Sequence, residues 1–118
     1  MRVPPAHIRE RDLQAHVRLS GFVGEPALAE RYAAADAAVF LSEYEGFGLP
    51  ALEAAARGVP LVVGRAPSQG EIFRGAALLV DPRDETAVAA ALDRALSDES
   101  LRAALGAAGR ALAARHSW

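Results

Sequence analysis

The sequence predicts an α/β domain with a parallel sheet of about four strands and flanking helices. Ala37–Leu41 and Leu61–Val63 are short apolar runs without alternation, which favours strands buried on both faces. Longer segments with apolar residues at helical spacing lie between and after them, and glycine or proline stands at most boundaries. Strands and helices that alternate in this way are typical of a parallel sheet covered by helices.

Composition sets the broad class of protein. The chain has 118 residues, one domain or less, and is 52% hydrophobic and 24% charged, as globular chains are. A net charge of −2 offers no basic patch, so nucleic acid is not an expected partner. With no cysteine, a disulfide scaffold, a thiolate metal site and a cysteine nucleophile are excluded. The apolar runs are too short for a transmembrane segment, and the N-terminus lacks the pattern of a signal peptide. We therefore expect a cytoplasmic protein.

The elements follow from local signals taken in chain order. The predicted strands are Val17–Val23, Ala37–Leu41, Leu61–Val63 and Ala77–Val80. The predicted helices run from Pro26 to about Ala35, from Pro50 to Gly58, from Glu85 to about Leu96, and from Glu99 to Arg115, with a helical turn at Glu71–Phe73. Asp84 and Asp98 can cap the last two helices. Their expected apolar faces are Val88, Leu92, Ala95 and Leu96, and then Leu101, Leu105, Ala108 and Leu112.

The stretch Ser42–Pro60 combines a glycine turn with a helix start. Gly46 and Gly48 allow a tight turn after a strand, and Pro50 suits the first turn of a helix. Leu49 lacks a side-chain oxygen that could cap the first amides. Free amides at the positive end of a helix dipole bind anions, so this corner is a predicted anion site.

Two carboxylates flank this glycine corner. Glu45 precedes the glycines, and Glu53 lies within the following helix among small and apolar residues. Spacing alone leaves two interpretations open. Glu53 could stabilise the helix N-terminus while Glu45 is a solvated loop acid, or both could face a bound ligand.

The string E-G-F-G-L-P-x-L-E-A-x-A-x-G-x-P resembles the acid–seven residues–acid signature of retaining nucleotide-sugar glycosyltransferases with two Rossmann-like domains, the GT-B architecture. Further segments resemble the same family, and the resemblance covers about Val17 to Trp118. These segments are Val17–Val23, Leu28–Leu41, Glu71–Ile72, Ala76–Pro82 and His116–Trp118.

The resemblance implies roles for the corner residues. Glu53 would accept hydrogen bonds from the donor ribose, and Glu45, as the catalytic residue, would face the transferred sugar. The donor's sugar and phosphates would lie against backbone amides of Gly46, Phe47, Gly48 and Leu49. Gly21, Phe22 and Val23 would approach the base. The family implies no metal and no cofactor, only a nucleotide-diphospho-sugar substrate, whose nucleotide and sugar stay unidentified, as does the acceptor.

The resemblance also implies that residues 1–118 are a partial C-terminal, donor-binding domain. They would supply strands three to six of a Rossmann-like order, while strands one and two, the phosphate-binding Arg and Lys, and the acceptor domain would lie upstream. Arg57 and Arg65 are expected to be solvated rather than to replace those cations. In a monomer we expect the strand Val17–Val23 to pair directly with Ala37–Leu41, because this buries the most apolar edge. The alternative is an open edge that favours self-association.

Two other classes of function stay open. The chain could be a catalytically silent nucleotide-binding or interaction domain derived from the same fold, and an upstream segment with the missing strands and cations would argue against this. A flavodoxin-like nucleotide-binding enzyme would share the glycine turn but not the long collinear resemblance. His7, His16 and His116 show no metal-ligand spacing.

Overall fold

The computed structural model describes residues 24–41, 49–65 and 72–116. The helices in these ranges are α1 (Glu25–Ala34), α2 (Leu49–Ala56), α3 (Glu85–Ser97) and α4 (Glu99–Arg115). The strands are β1 (Ala38–Phe40), β2 (Leu61–Gly64) and β3 (Leu78–Val80). Each begins and ends within one or two residues of its predicted position. The fourth predicted strand, Val17–Val23, and its pairing lie outside the described residues.

The three strands form a parallel sheet in the order β1-β2-β3. Val39 of β1 pairs with Val62 of β2, and Val63 of β2 pairs with Leu79 of β3. All four residues of β2 are buried, whereas those of β1 are half-buried. The predicted α/β class with parallel strands is therefore confirmed, with β2 in the middle of the described sheet.

Two apolar clusters cover the opposite faces of the sheet. Leu61 and Val63 point into one cluster, which α2 and α4 complete, and Val62 points into the other, which α3 completes. This alternation follows from the two-residue period of a strand. It explains why β2 has no polar residue, since both of its faces are buried.

The helix ends have the predicted chemistry. Asp84 Oδ1 accepts a hydrogen bond from the Ala87 amide, and Asp98 Oδ1 accepts one from Leu101, both at 3.0 Å. Each carboxylate thereby satisfies an amide that the helix leaves free. At the end of α2, Gly58 has a φ of 76°, the left-handed conformation that glycine adopts without strain.

Helices α2 and α4 approach each other through glycines. A Cβ atom at Gly106 would lie 2.8 Å from the Gly58 carbonyl oxygen, and one at Gly109 would lie 3.3 Å from the Ala55 Cβ. Both α4 glycines are buried. The stripe predicted for this helix lacked them, because a glycine has no apolar side chain to mark it as core.

Three side chains differ from the sequence-based expectation. Leu96, placed on the apolar face of α3, is 47% exposed, whereas Ala91, which was not assigned to that face, is buried. The inner face of α3 thus follows the spacing of Val88, Ala91 and Ala95, and Leu96 lies beside it. Phe73 was expected only in a helical turn of a loop, yet it is fully buried in the α2–α4 cluster.

Membrane crossing would need a longer and more apolar helix than any that the structure describes.

Candidate functional site

Helix α2 places its first turn at the carboxyl edge of the sheet. It follows β1 in the chain and returns to the start of β2, which runs parallel to β1, so it must run opposite to both strands. Leu49 is its first residue and Pro50 its second, so the helix begins one residue before the predicted start and Pro50 lies in the first turn as predicted. Glu45, Gly46, Phe47 and Gly48 lie outside the described residues, so their predicted roles stay predictions.

Glu53 is an exposed acid on a helix whose adjoining residues are buried. Its neighbours Leu52 and Ala54 are 1% and 0% exposed. Glu53 is the fifth residue of α2, and the first turn of α2 contains no acidic side chain. The helix dipole acts mainly on charges in the first turn. Stabilisation of the helix N-terminus therefore explains Glu53 poorly, and its exposed carboxylate is available to accept hydrogen bonds from a ligand.

Tyr32 of α1 packs against β1, and the charge of Glu53 acts on its hydroxyl. Its ring centroid lies 6.5 Å from that of Phe40 in β1, with the ring planes tilted by 54°. Partial burial raises the pKa of the Tyr32 hydroxyl, and the negative charge of Glu53 raises it further. The electrostatic effect of Glu53 on Tyr32 acts between two different helices, so no local sequence pattern indicated it.

Charged side chains also follow the other two strands at this edge. Arg65, directly after β2, is exposed, and its Nη2 lies 3.4 Å from the Leu79 carbonyl oxygen. Asp81, directly after β3, accepts a hydrogen bond from the Arg83 amide at 3.0 Å. This bond, aided by the charges of Arg83 and Arg65, holds the pKa of the Asp81 carboxyl below its ordinary value. Arg65 thus already has an acidic neighbour.

Metal-ligand geometry is not found in the described ranges: no group of three or more His, Asp or Glu side chains there could hold an ion. His116 is half-buried at the end of α4, where its amide bonds back to the helix. His7 and His16 lie outside these ranges.

A match between this sequence and a protein-family model identifies the family. Residues 5–112 match the family model described as glycosyl transferases group 1. The chain belongs to this family. The match spans most of the sequence, so the family resemblance of the glycine corner extends through the sheet and helices that support it.

Curated relatives agree with the family assignment. The chain is 42% identical over 102 residues to O-antigen chain mannosyltransferase B of Escherichia coli, covering 86% of the chain and 27% of the relative. It is 43% identical over 93 residues to D-inositol 3-phosphate glycosyltransferase of Corynebacterium urealyticum, covering 77% and 22%. The chain therefore spans about a quarter of the length of these relatives.

A solved structure supports the GT-B-type fold prediction. Sucrose-phosphate synthase from Thermosynechococcus elongatus superposes with a TM-score of 0.84 at 33% identity, over 93% of this chain and 28% of that one. Like the curated relatives, this glycosyltransferase is much longer than the matched region. This member of the glycosyl transferases group 1 family thus has the α/β, GT-B-type fold that its sequence predicted.

Proposed function

We propose that this chain carries part of the nucleotide-diphospho-sugar site of a retaining glycosyltransferase, within a partial C-terminal, donor-binding domain. The single observation that carries the proposal is the exposed carboxylate of Glu53 on a helix with buried neighbours, in a chain of this family. This exposure leaves the Glu53 carboxylate accessible to a ligand, and membership of this family makes a nucleotide-sugar donor the ligand that we propose.

The proposed role of Glu53 is to hold the donor ribose. An ionised carboxylate accepts hydrogen bonds through two oxygens, which suits the two neighbouring hydroxyls of a ribose. The helix beneath it is rigid, because α2 is packed against both β2 and α4. A fixed ribose sets the position of the diphosphate and sugar that follow it, and such positioning is a large part of transfer catalysis.

Glu45 and the glycine corner are proposed to act on the reacting half of the donor. Glu45 would accept hydrogen bonds from hydroxyls of the transferred sugar and so orient its reacting carbon. The amides of Gly46, Phe47, Gly48 and Leu49 would face the sugar and the diphosphate, whose negative charge grows as the sugar leaves. Amides preorganised at that position stabilise the charge without reorganising during the reaction.

The cations that neutralise the diphosphate are proposed to come from outside these 118 residues. The sequence has arginine but no lysine. Arg57 and Arg65 are exposed, and Arg65 lies near Asp81, whose negative charge offsets its own. We therefore assign neither to the diphosphate. The acceptor site is placed outside the chain as well, in an upstream domain.

A second candidate function is a catalytically silent nucleotide-binding or interaction domain. The two candidates share nucleotide binding through Glu53 and differ in whether a sugar is transferred.

Nucleotide affinity tests the part that both candidates share. Calorimetry or NMR titration of the chain with nucleoside diphosphates and their 2′,3′-dideoxy counterparts should show tighter binding of the ribose forms. Glu53→Gln should remove that preference, because hydrogen bonds to a charged group contribute about 1.5–3 kcal/mol each. Glu30→Gln on α1, also at an exposed acid, is the matched control and should leave the preference intact. An unchanged ribose preference in Glu53→Gln would overturn the proposal.

A further inference from the structure

We propose that Gly106 of α4 is a positioning residue for Glu53: it lets α2 lie close enough to α4 to hold the Glu53 carboxylate where the donor ribose binds. This inference rests on the ribose-binding role proposed above. It concerns the approach of Gly106 and Gly109 of α4 to Gly58 and Ala55 at the end of α2, which we call the glycine contact.

The glycine contact leaves no room for a side-chain atom at Gly106. A Cβ atom there would lie 2.8 Å from the Gly58 carbonyl oxygen, a separation that Cβ atoms do not adopt, so part of the backbone would have to move. A Cβ atom at Gly109 would lie 3.3 Å from the Ala55 Cβ, which needs a shift of only a few tenths of an ångström. A methyl group would therefore push α2 further from α4 at Gly106 than at Gly109.

The surroundings of α2 do not absorb such a push locally. The Arg110 guanidinium packs on Gly58, since a Cβ atom at that glycine would lie 2.6 Å from the guanidinium carbon. Leu52 and Ala54 are buried in the cluster that lies between α2, α4 and β2. A close-packed interior transmits strain to the elements around it.

The displacement would reach Glu53 because α2 is short. The helix has eight residues, about two turns, and Glu53 lies two positions before Ala55, which meets Gly109. Two hydrogen-bonded turns move together, so a shift at the Gly58 end also moves the backbone of Glu53. Hydrogen bonds between oxygens form over a narrow range of distances, roughly 2.5–3.0 Å, so a shift of part of an ångström weakens the contact with the ribose hydroxyls.

Ribose preference in Gly106→Ala tests the inference. We define this preference as the affinity for a nucleoside diphosphate divided by the affinity for its 2′,3′-dideoxy form, both measured by calorimetry. Partial unfolding lowers both affinities by the same factor, so the ratio responds to the geometry of the site and not to stability. We expect the ratio to fall several-fold in Gly106→Ala and to fall less in Gly109→Ala.

Ala107→Gly is the matched control. Ala107 is exposed on the same helix, and its substitution weakens α4 without adding an atom toward α2. Its ratio should equal that of the wild type, and a loss equal to that of Gly106→Ala would overturn the inference. In a Glu53→Gln background, Gly106→Ala should add nothing, and a further loss there would show that Gly106 does not act through Glu53.

The inference and the proposed function can fail separately. If Glu53→Gln abolishes the ribose preference and Gly106→Ala leaves it unchanged, the inference fails while the proposed function stands. Where Gly106→Ala does not fold, Gly109→Ala decides in its place, and an unchanged ratio in that variant overturns the inference. If Glu53→Gln has no effect, the ribose contact itself is wrong and the inference falls with it.

Discussion

The proposed donor site depends on Glu53, whose exposed carboxylate lies between two buried residues of α2. Its neighbours Leu52 and Ala54 predicted a buried helix face, so a carboxylate between them stood out before its exposure was known. The effect of the Glu53 charge on Tyr32 could not be found in the same way, because it acts between two helices and depends on the tertiary fold. The spacing of apolar residues predicts which face of a helix is buried. It does not predict which residues of other elements lie close to that face.

Substitutions of the two acids of the signature, Glu45 and Glu53, should affect different kinetic and binding quantities. Glu53→Ala should weaken nucleotide binding, since it removes the ribose contact, whereas Glu45→Ala should mainly lower turnover, since it faces the reacting sugar. Calorimetry and steady-state kinetics on a protein that also supplies the upstream domain would separate the two effects. Unchanged affinity and unchanged turnover in both variants would refute the assignment.

Asp81 gives a pH dependence whose sign can be worked out. Its pKa is lower in the folded chain than in the unfolded one, because the Arg83 amide and nearby positive charges favour the ionised form. Its stabilisation is therefore present above the unfolded pKa and is lost as pH falls through the folded pKa. Asp81→Asn should lose less stability on acidification than the wild type in urea unfolding, and Asp93→Asn should behave as the wild type does. Equal acid sensitivity in Asp81→Asn would contradict this.

The described helices and strands were predicted nearly to their ends, because the sequence patterns that start and end them are local. Asp84 and Asp98 mark helix starts because their carboxylates accept hydrogen bonds from free amides, and Gly58 marks an end because glycine adopts a left-handed φ without strain. The close approach of α2 and α4 was not predictable. It depends on where Gly106 meets Gly58 in space, and sequence spacing carries no information on that distance.

Gly106 should therefore resist substitution more than Gly109. In a free helix, glycine to alanine stabilises by about 1 kcal/mol. At Gly106 the new Cβ would lie 2.8 Å from a backbone oxygen, and overpacking of this kind costs about 1–3 kcal/mol. We expect Gly106→Ala to be destabilised in urea unfolding. Gly109→Ala, with its nearest contact at 3.3 Å, is the matched comparison and should change less. A Gly106→Ala variant as stable as the wild type would show that the helices can move apart freely.

The parallel order β1-β2-β3 of the whole described sheet agrees with the last three strands of a Rossmann-like sheet. Alternating elements were enough to predict the parallel orientation, since a strand that returns through a helix lies parallel to the strand before it. The order of the strands was an implication of the family resemblance. The pairing of Val17–Val23 with β1 stays a prediction. The assignment of acceptor selection to an upstream domain is likewise a proposal.

The 118-residue chain alone is expected not to transfer sugar to an acceptor. We base this on the proposed location of the acceptor site and of the diphosphate-binding cations outside it. Purified chain incubated with a panel of nucleotide-sugars and acceptors should yield no transfer product by mass spectrometry. Slow donor hydrolysis is compatible with the prediction, since it needs no acceptor site, whereas a glycosylated acceptor would refute it.

A crystal structure of the chain with a nucleoside diphosphate bound tests the ribose contact most directly. We predict that the ribose hydroxyls lie about 2.5–3.0 Å from the carboxylate oxygens of Glu53, the range for hydrogen bonds between oxygens. The diphosphate should then lie toward the first turn of α2. A nucleotide whose ribose contacts other side chains, with the Glu53 carboxylate left in solvent, would contradict the proposed donor site.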